Sequence, residues 1–102
     1  NSEEMNEIFS SSELDQKARR LSVVQPRLTS TLLRQAPATV VVIFIVDENG
    51  RVQDPKVQRT TNPSFDRSAL SAIKQWKFEP AKVQGRSVSS RLRQSFSFEN
   101  NT

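Results

Sequence analysis

The chain of 102 residues contains neither cysteine nor histidine. The first absence removes any disulfide staple, thiolate chemistry or sulfur-based zinc site. The second removes the usual general base, the usual metal ligand and the usual partner of a serine nucleophile. Asp47 and Glu48 are adjacent acids, but no second acidic cluster or base stands at a readable spacing, so they read as turn residues and not as a catalytic pair. A non-enzymatic role is expected, with no cofactor and no metal. Long apolar runs are missing too: Val40 to Val46 is the longest, against the roughly 20 residues needed to span a bilayer. The amino end has no basic start followed by an apolar stretch, as a secretion signal would. It opens on Asn1 without an initiator methionine, which suggests a piece of a longer protein.

Charge is uneven. Of the 11 acids, five (Glu3, Glu4, Glu7, Glu13, Asp15) fall within the first fifteen residues, which hold no base, so the rest sets 15 bases against six acids. Such a balance suits either an anionic partner or a solvated basic surface. The bases are scattered singly, with no aromatic-rich platform for stacking bases, which favours the solvated surface and no nucleic acid. Residues 1–13 are acidic and serine-rich with only Met5, Ile8 and Phe9 apolar, and read as a flexible arm. Residues 14–99 read as one domain and 100–102 as a disordered tail. At this size the core is thin, since folding hides only about 60 to 70 per cent of the surface of the unfolded chain.

The most regular pattern runs from Ser64 to Pro80. Phe65, Ala69, Ala72, Ile73 and Trp76 recur at three- and four-residue spacing, with Arg67, Ser71 and Lys74 opposite, which predicts an amphipathic helix. Asn62 or Ser64 can cap it, Asp66 suits its first turn, and Pro80 forbids its continuation. Upstream, Leu21 to Val24 reads as a short extended lead-in before Gln25-Pro26, and Thr29 or Ser30 can cap a two-turn helix stopped by Pro37. Thr39 to Val46 is dense in β-branched residues and reads as a central strand. Asp47 to Gly50 then turns the chain, with Gly50 left-handed. The second strand, Arg51 to about Thr60, carries Pro55 between Val52 and Val57, whose five-residue spacing breaks strict alternation. Both features argue for a bulged edge strand.

After a polar loop containing Gly85, residues Ser87 to Glu99 form a third strand without proline. Val88, Leu92, Phe96 and Phe98 share one face of it and Ser89, Arg91, Arg93, Ser95 and Ser97 the other. A right-handed crossover and the hairpin together place this strand on the far side of the first. The expected fold is therefore α+β: a three-stranded antiparallel sheet in the order two, one, three, with two helices on one face. The outer edge of the third strand is left with free amides and carbonyls. Arg91 and Arg93 either guard that edge by charge alone or flank a peptide added as a further strand. A second copy pairing at the same edge, as a homodimer, could coexist with peptide binding and would mask that edge. Val41, Ile43 and Ile45 fall on the outer face of the sheet, where the lead-in is expected to cover part of them.

The hairpin VVVIFIVDENGRV, then Phe65-Asp66, Ala69, Trp76-Lys77-Phe78-Glu79-Pro80, Gly85 and an alternating last strand together resemble the carboxy-terminal domain of the TonB energy-transducer family, over about Leu14 to Phe98. The resemblance implies a periplasmic domain tethered to the inner membrane by an amino-terminal helix outside this chain and driven by an ExbB/ExbD-type motor. Its partner would be an outer-membrane TonB-dependent transporter, whose TonB box adds as a strand to the last strand, so that proton-motive force opens the transporter to its substrate. Carried over by position, the receiving residues are Val88, Ser89, Ser90, Arg91, Leu92, Arg93, Gln94, Ser95 and Phe96. Gln25 and Pro26 match a glutamine-proline pair that contacts the transporter in some members. Leu28-Thr29 stands where the family often has a tyrosine-proline pair.

Overall fold

The computed structural model describes residues 8–9 and 14–99. Its elements in order are β1 (Ile8–Phe9), β2 (Arg19–Ser22), α1 (Ser30–Gln35), β3 (Ala38–Val46), β4 (Val52–Thr60), a 3-10 turn (Pro63–Phe65), α2 (Asp66–Ile73), β5 (Lys77–Glu79), β6 (Ala81–Val83) and β7 (Arg86–Phe98). The α+β class and the row β4-β3-β7 agree with the sequence, but the sheet is larger than three strands. It runs β1-β7-β3-β4 with β6 also on β7, and β2 pairs with β5 in a separate two-stranded sheet. The additions come from segments too short or too polar to announce themselves as strands. Of the expected amino-terminal arm, only Ile8–Phe9 is described, and it is paired; the rest of the arm and the carboxy-terminal tail lie outside the described residues.

β3 is the centre. Val40, Val42, Phe44 and Val46 point into the core, where they meet Phe65, Ala69, Ile73, Trp76, Phe78, Phe96 and Phe98. Six of these are aromatic, and the rings interlock: Phe65 lies 4.8 Å from Phe98, Trp76 meets Phe96 edge-on at 5.6 Å, and Phe44 lies 5.7 Å from Phe78. Fully burying such side chains contributes roughly 2 to 3 kcal/mol each. Leu32 of α1 packs against the same cluster, so both helices lie on this face. The Thr29 hydroxyl caps α1 by accepting from the Leu32 amide at 3.2 Å.

The long helix expected from Ser64 to Pro80 is shorter. Asn62 Oδ1 accepts from the Ser64 amide at 3.0 Å, starting a 3-10 turn that leads into α2, which stops at Ile73. The amides of Gln75 and Trp76 donate back only three residues, to Ala72 and Ile73, tightening the last turn. Beyond it the Phe78 amide donates to the Gly50 carbonyl at 2.9 Å, and β5 pairs with β2. Trp76 and Phe78 thus reach the core from the end of a helix and from a strand. Trp76 continues the helical stripe by coincidence of burial.

The Asp47–Gly50 turn forms as expected, with Gly50 at φ +81°. One carboxylate oxygen of Asp47 accepts from the amides of Asn49 and Arg51, both at 2.9 Å, and the other accepts from the Gln53 side chain at 3.0 Å. The register of β4 against β3 shifts twice, between Val41 and Val42 and between Ile43 and Ile45, as Pro55 and the uneven apolar spacing required. Of the three outer-face residues, Val41 is buried, Ile45 half-buried and Ile43 exposed. β2 joins β5, and Ala18 and Val24 pack on the core side, leaving Ile43 exposed at 37%. The backbone of the lead-in follows the partners that can complete its hydrogen bonds, and these lie beside α2.

Two outcomes follow. A Cβ on Gly50 would stand 1.9 Å from the Phe78 carbonyl oxygen in a left-handed backbone, so Gly50→Ala should destabilise the domain by about 2 kcal/mol or more in urea titrations. Burial tends to raise the Asp47 pKa, but the bonds from Arg51, Gln53 and Asn49 outweigh it and hold the carboxyl below its ordinary value. Its contribution is therefore complete above the unfolded-state pKa of about 3.9 and fades as pH falls through the lower folded-state value. Asp47→Asn should be less stable than the parent at neutral pH, and the gap should narrow as pH falls below the unfolded-state value of about 3.9.

Candidate functional site

A strand with no proline or glycine can extend without interruption, and β7 does so for 13 residues. Along its inner edge β3 takes every position from Val46↔Ser90 to Ala38↔Phe98. Near its start, β6 pairs with it through a two-residue turn in which Gln84 and Gly85 both have positive φ, 51° and 78°. On the edge away from β3, β1 pairs in parallel, Ile8 with Ser89 and Phe9 with Ser90. From Arg91 to Phe98 that outer edge has no strand partner among the described residues.

The expected receiving residues are thus divided. Val88, Ser89 and Ser90 are already paired, with Ala81, Ile8 and Phe9 respectively. Arg91, Leu92, Arg93, Gln94, Ser95 and Phe96 lie along the open length, with Arg91, Arg93 and Ser95 exposed and Phe96 buried. The expectation of an outer edge free along its whole length is therefore corrected at Ser89–Ser90, where Ile8–Phe9 pairs with it. The ion pairs among the described residues are Arg19–Glu79 and Lys56–Asp54, so Arg91 and Arg93 have no described carboxylate partner.

Opposite this edge runs the lead-in, held by three ties. β2 pairs with β5, the indole Nε1 of Trp76 donates to the Val24 carbonyl at 2.9 Å, and the Ser68 hydroxyl donates to the Arg27 carbonyl at 2.5 Å. Glu79 accepts from the Gln16 side chain and from Arg19, each at 2.8 Å, and these bonds lower its pKa. Between the lead-in and β7 lies a groove of about 290 Å³. Gln25 and Pro26 border it on one side, and Gln94, Ser95 and Phe96 on the other. The fold has brought together two motifs that lie about seventy positions apart in the chain. Because β3 covers the inner edge, a groove lined by consecutive residues of β7 and none of β3 follows the outer edge.

Several bordering residues escaped sequence reasoning. Val23 and Leu28 flank Gln25-Pro26 as exposed apolar side chains, at 48% and 37%. Their position beside the motif was the available signal. The Arg20 guanidinium stands 6.0 Å from the Trp76 ring centre, at the limit of a cation–π contact, and nothing in the local sequence marks it. Ser97 and Phe98 extend the groove past Phe96. The described residues contain no cluster of acids able to hold a metal and no helix long and apolar enough to cross a membrane.

Trp76→Phe keeps an aromatic ring in the core but leaves the Val24 carbonyl without its donor. It should cost about 1 to 2 kcal/mol in denaturant titrations and speed hydrogen exchange over residues 19–24. Unchanged exchange there would remove this tie from the account of the groove.

With this geometry in view, the known proteins that resemble the chain can be weighed. The solution NMR structure of the Pseudomonas aeruginosa TonB CTD has the same fold, with a TM-score of 0.72 at 23% identity, covering 95% of this chain and 98% of that one. Protein TonB from two strains of Xanthomonas campestris pv. campestris, B100 and ATCC 33913, is 35% identical over 60 residues, 58% of this chain. The match spans 27% of the length of those relatives. The family model described as Gram-negative bacterial TonB protein C-terminal matches residues 32–99, so the chain belongs to that family.

Proposed function

We propose that the chain is the carboxy-terminal, energy-transducing domain of a TonB-type protein, binding the TonB box of outer-membrane transporters by strand addition to β7. The observation that carries this reading is the outer edge of β7, without a strand partner from Arg91 among the described residues, whose stretch Gln94–Phe96 borders a groove with Gln25-Pro26. Backbone pairing there gives affinity with tolerance for side-chain variety, as a domain serving several transporters needs. Arg91, Arg93 and Ser95 project from the exposed face of the receiving strand, and Gln25 and Pro26 contact the arriving chain. Load applied to an added strand passes to β7 and then into β3 through the ladder that joins them.

Membership of the family supports the wider setting: a periplasmic domain tethered to the inner membrane through sequence upstream, coupled to an ExbB/ExbD-type motor and transmitting proton-motive force for substrate import. No chemical step is assigned to the domain, and its partners are proteins.

Strand addition makes a specific demand. Successive residues of a strand present their amides to opposite edges, so an added peptide engages every second one. Titration with a short TonB-box peptide should therefore slow hydrogen exchange at alternate amides between Arg91 and Phe96, with affinity changing little between about 50 and 200 mM salt. Affinity that falls steeply with salt, with responses spread over scattered lysines and arginines, would replace this reading with anion binding. Absence of peptide binding together with a stable dimer in sedimentation would assign the edge to a second copy.

A further inference from the structure

Within the stretch that the sequence marks as acidic and poorly apolar, Ile8–Phe9 nevertheless pairs with the proposed binding strand. Ile8 and Phe9 lie in parallel register against Ser89 and Ser90, on the edge opposite β3. Just downstream the chain is anchored again. The amides of Asp15 and Gln16 donate to the Lys82 carbonyl at 2.9 and 3.2 Å, and Lys82 returns a bond to the Gln16 carbonyl at 2.8 Å. The paired segment therefore lies only a few residues in sequence before a stretch bonded to β6, itself paired with the start of β7. A short tether gives a local concentration on the order of millimolar, enough for weak pairing to be populated. Charge acts in the same direction. Residues 1–13 carry Glu3, Glu4, Glu7 and Glu13 and no base, whereas β7 carries Arg86, Arg91 and Arg93 and no acid.

We infer that the amino-terminal segment around Ile8–Phe9 is a built-in competitor for the edge of β7, occupying Ser89–Ser90 until an incoming transporter strand displaces it. This inference rests on the reading of β7 as the receiving strand. Each edge amide and carbonyl serves one strand at a time, so a peptide that extends as far as Ser90 must remove Ile8–Phe9. The arm then lowers the apparent affinity by the fraction of molecules in which the edge is free. Occupancy of about two-thirds weakens binding about threefold. Self-pairing also shields a long edge from unwanted strands, including those of other copies. The segment yields only to a partner that pairs over more residues than its own two.

The test compares the intact chain with the intact chain carrying Ile8→Pro and Phe9→Pro, which deletes the two backbone donors of β1. Among the described residues the buried core lies beyond position 37, and thermal unfolding of both proteins checks that the domain is kept. Without peptide, the amides of Ser89 and Ser90 should shift in the double variant. In calorimetric titration with a TonB-box peptide long enough to pair from Phe96 back to Ser89, the variant should bind about threefold or more tightly than the parent. Equal affinities with unshifted Ser89 and Ser90 amides would overturn the competitor and leave strand addition standing. Failure of both proteins to bind would overturn the strand-addition reading, and the competitor with it.

Discussion

The ladder between β3 and β7 is the interaction on which everything else depends. It joins the most apolar strand of the chain to its longest one, in unbroken register from Ala38↔Phe98 to Val46↔Ser90. On the core side it sets Val40, Val42 and Phe44 beside Phe96 and Phe98, and that surface receives α2 and Trp76. Burial of β3 leaves it no latitude to slide, because a one-residue slip would turn its core side chains to the opposite face. β7 is held as firmly as its neighbour, and its other edge is therefore presented in one fixed position. A rigid edge costs an arriving strand less ordering entropy than a mobile one.

The lead-in solves a different problem. It has little apolar mass of its own: Leu21 is 67% exposed, and Ala18 and Val24 supply most of its contact with the core. Backbone bonds to β5 and the Trp76–Val24 bond hold it in place. A segment fixed mainly by polar ties at its margins is one that opens locally at modest cost. The groove thus has one firm wall, β7, and one wall of lower local stability, the stretch containing Gln25 and Pro26.

What could be read from the residues follows this division. The hairpin, its Asp47–Gly50 turn, the bulges in β4 and the alternation of β7 were all legible, because each rests on local chemistry: β-branched density, a left-handed glycine, a proline in a strand and period-two burial. The free edge of the last strand followed from the pattern, its exact receiving residues and the Gln25-Pro26 pair from a resemblance, and the groove between them required the three-dimensional fold. Failures came where tertiary partners overrode pattern. Trp76 fits a helical stripe and nothing before Pro80 breaks the pattern, yet the Phe78 amide is claimed by Gly50. β1, β5 and β6 hold two or three residues each, below the length at which periodicity carries information. Arg20 meets Trp76 only because β2 lies where it does.

Trp76 is the single tryptophan of the chain. Its indole touches at once the core through Phe96 and Phe78, the lead-in through Val24, and the groove it borders. Indole emission responds to hydrogen bonding at its nitrogen and to nearby charge, and here both come from the lead-in, through the Val24 carbonyl and Arg20. The domain therefore carries an intrinsic optical reporter at the junction of its firm and yielding walls, one whose colour and intensity follow the state of the groove without any attached label.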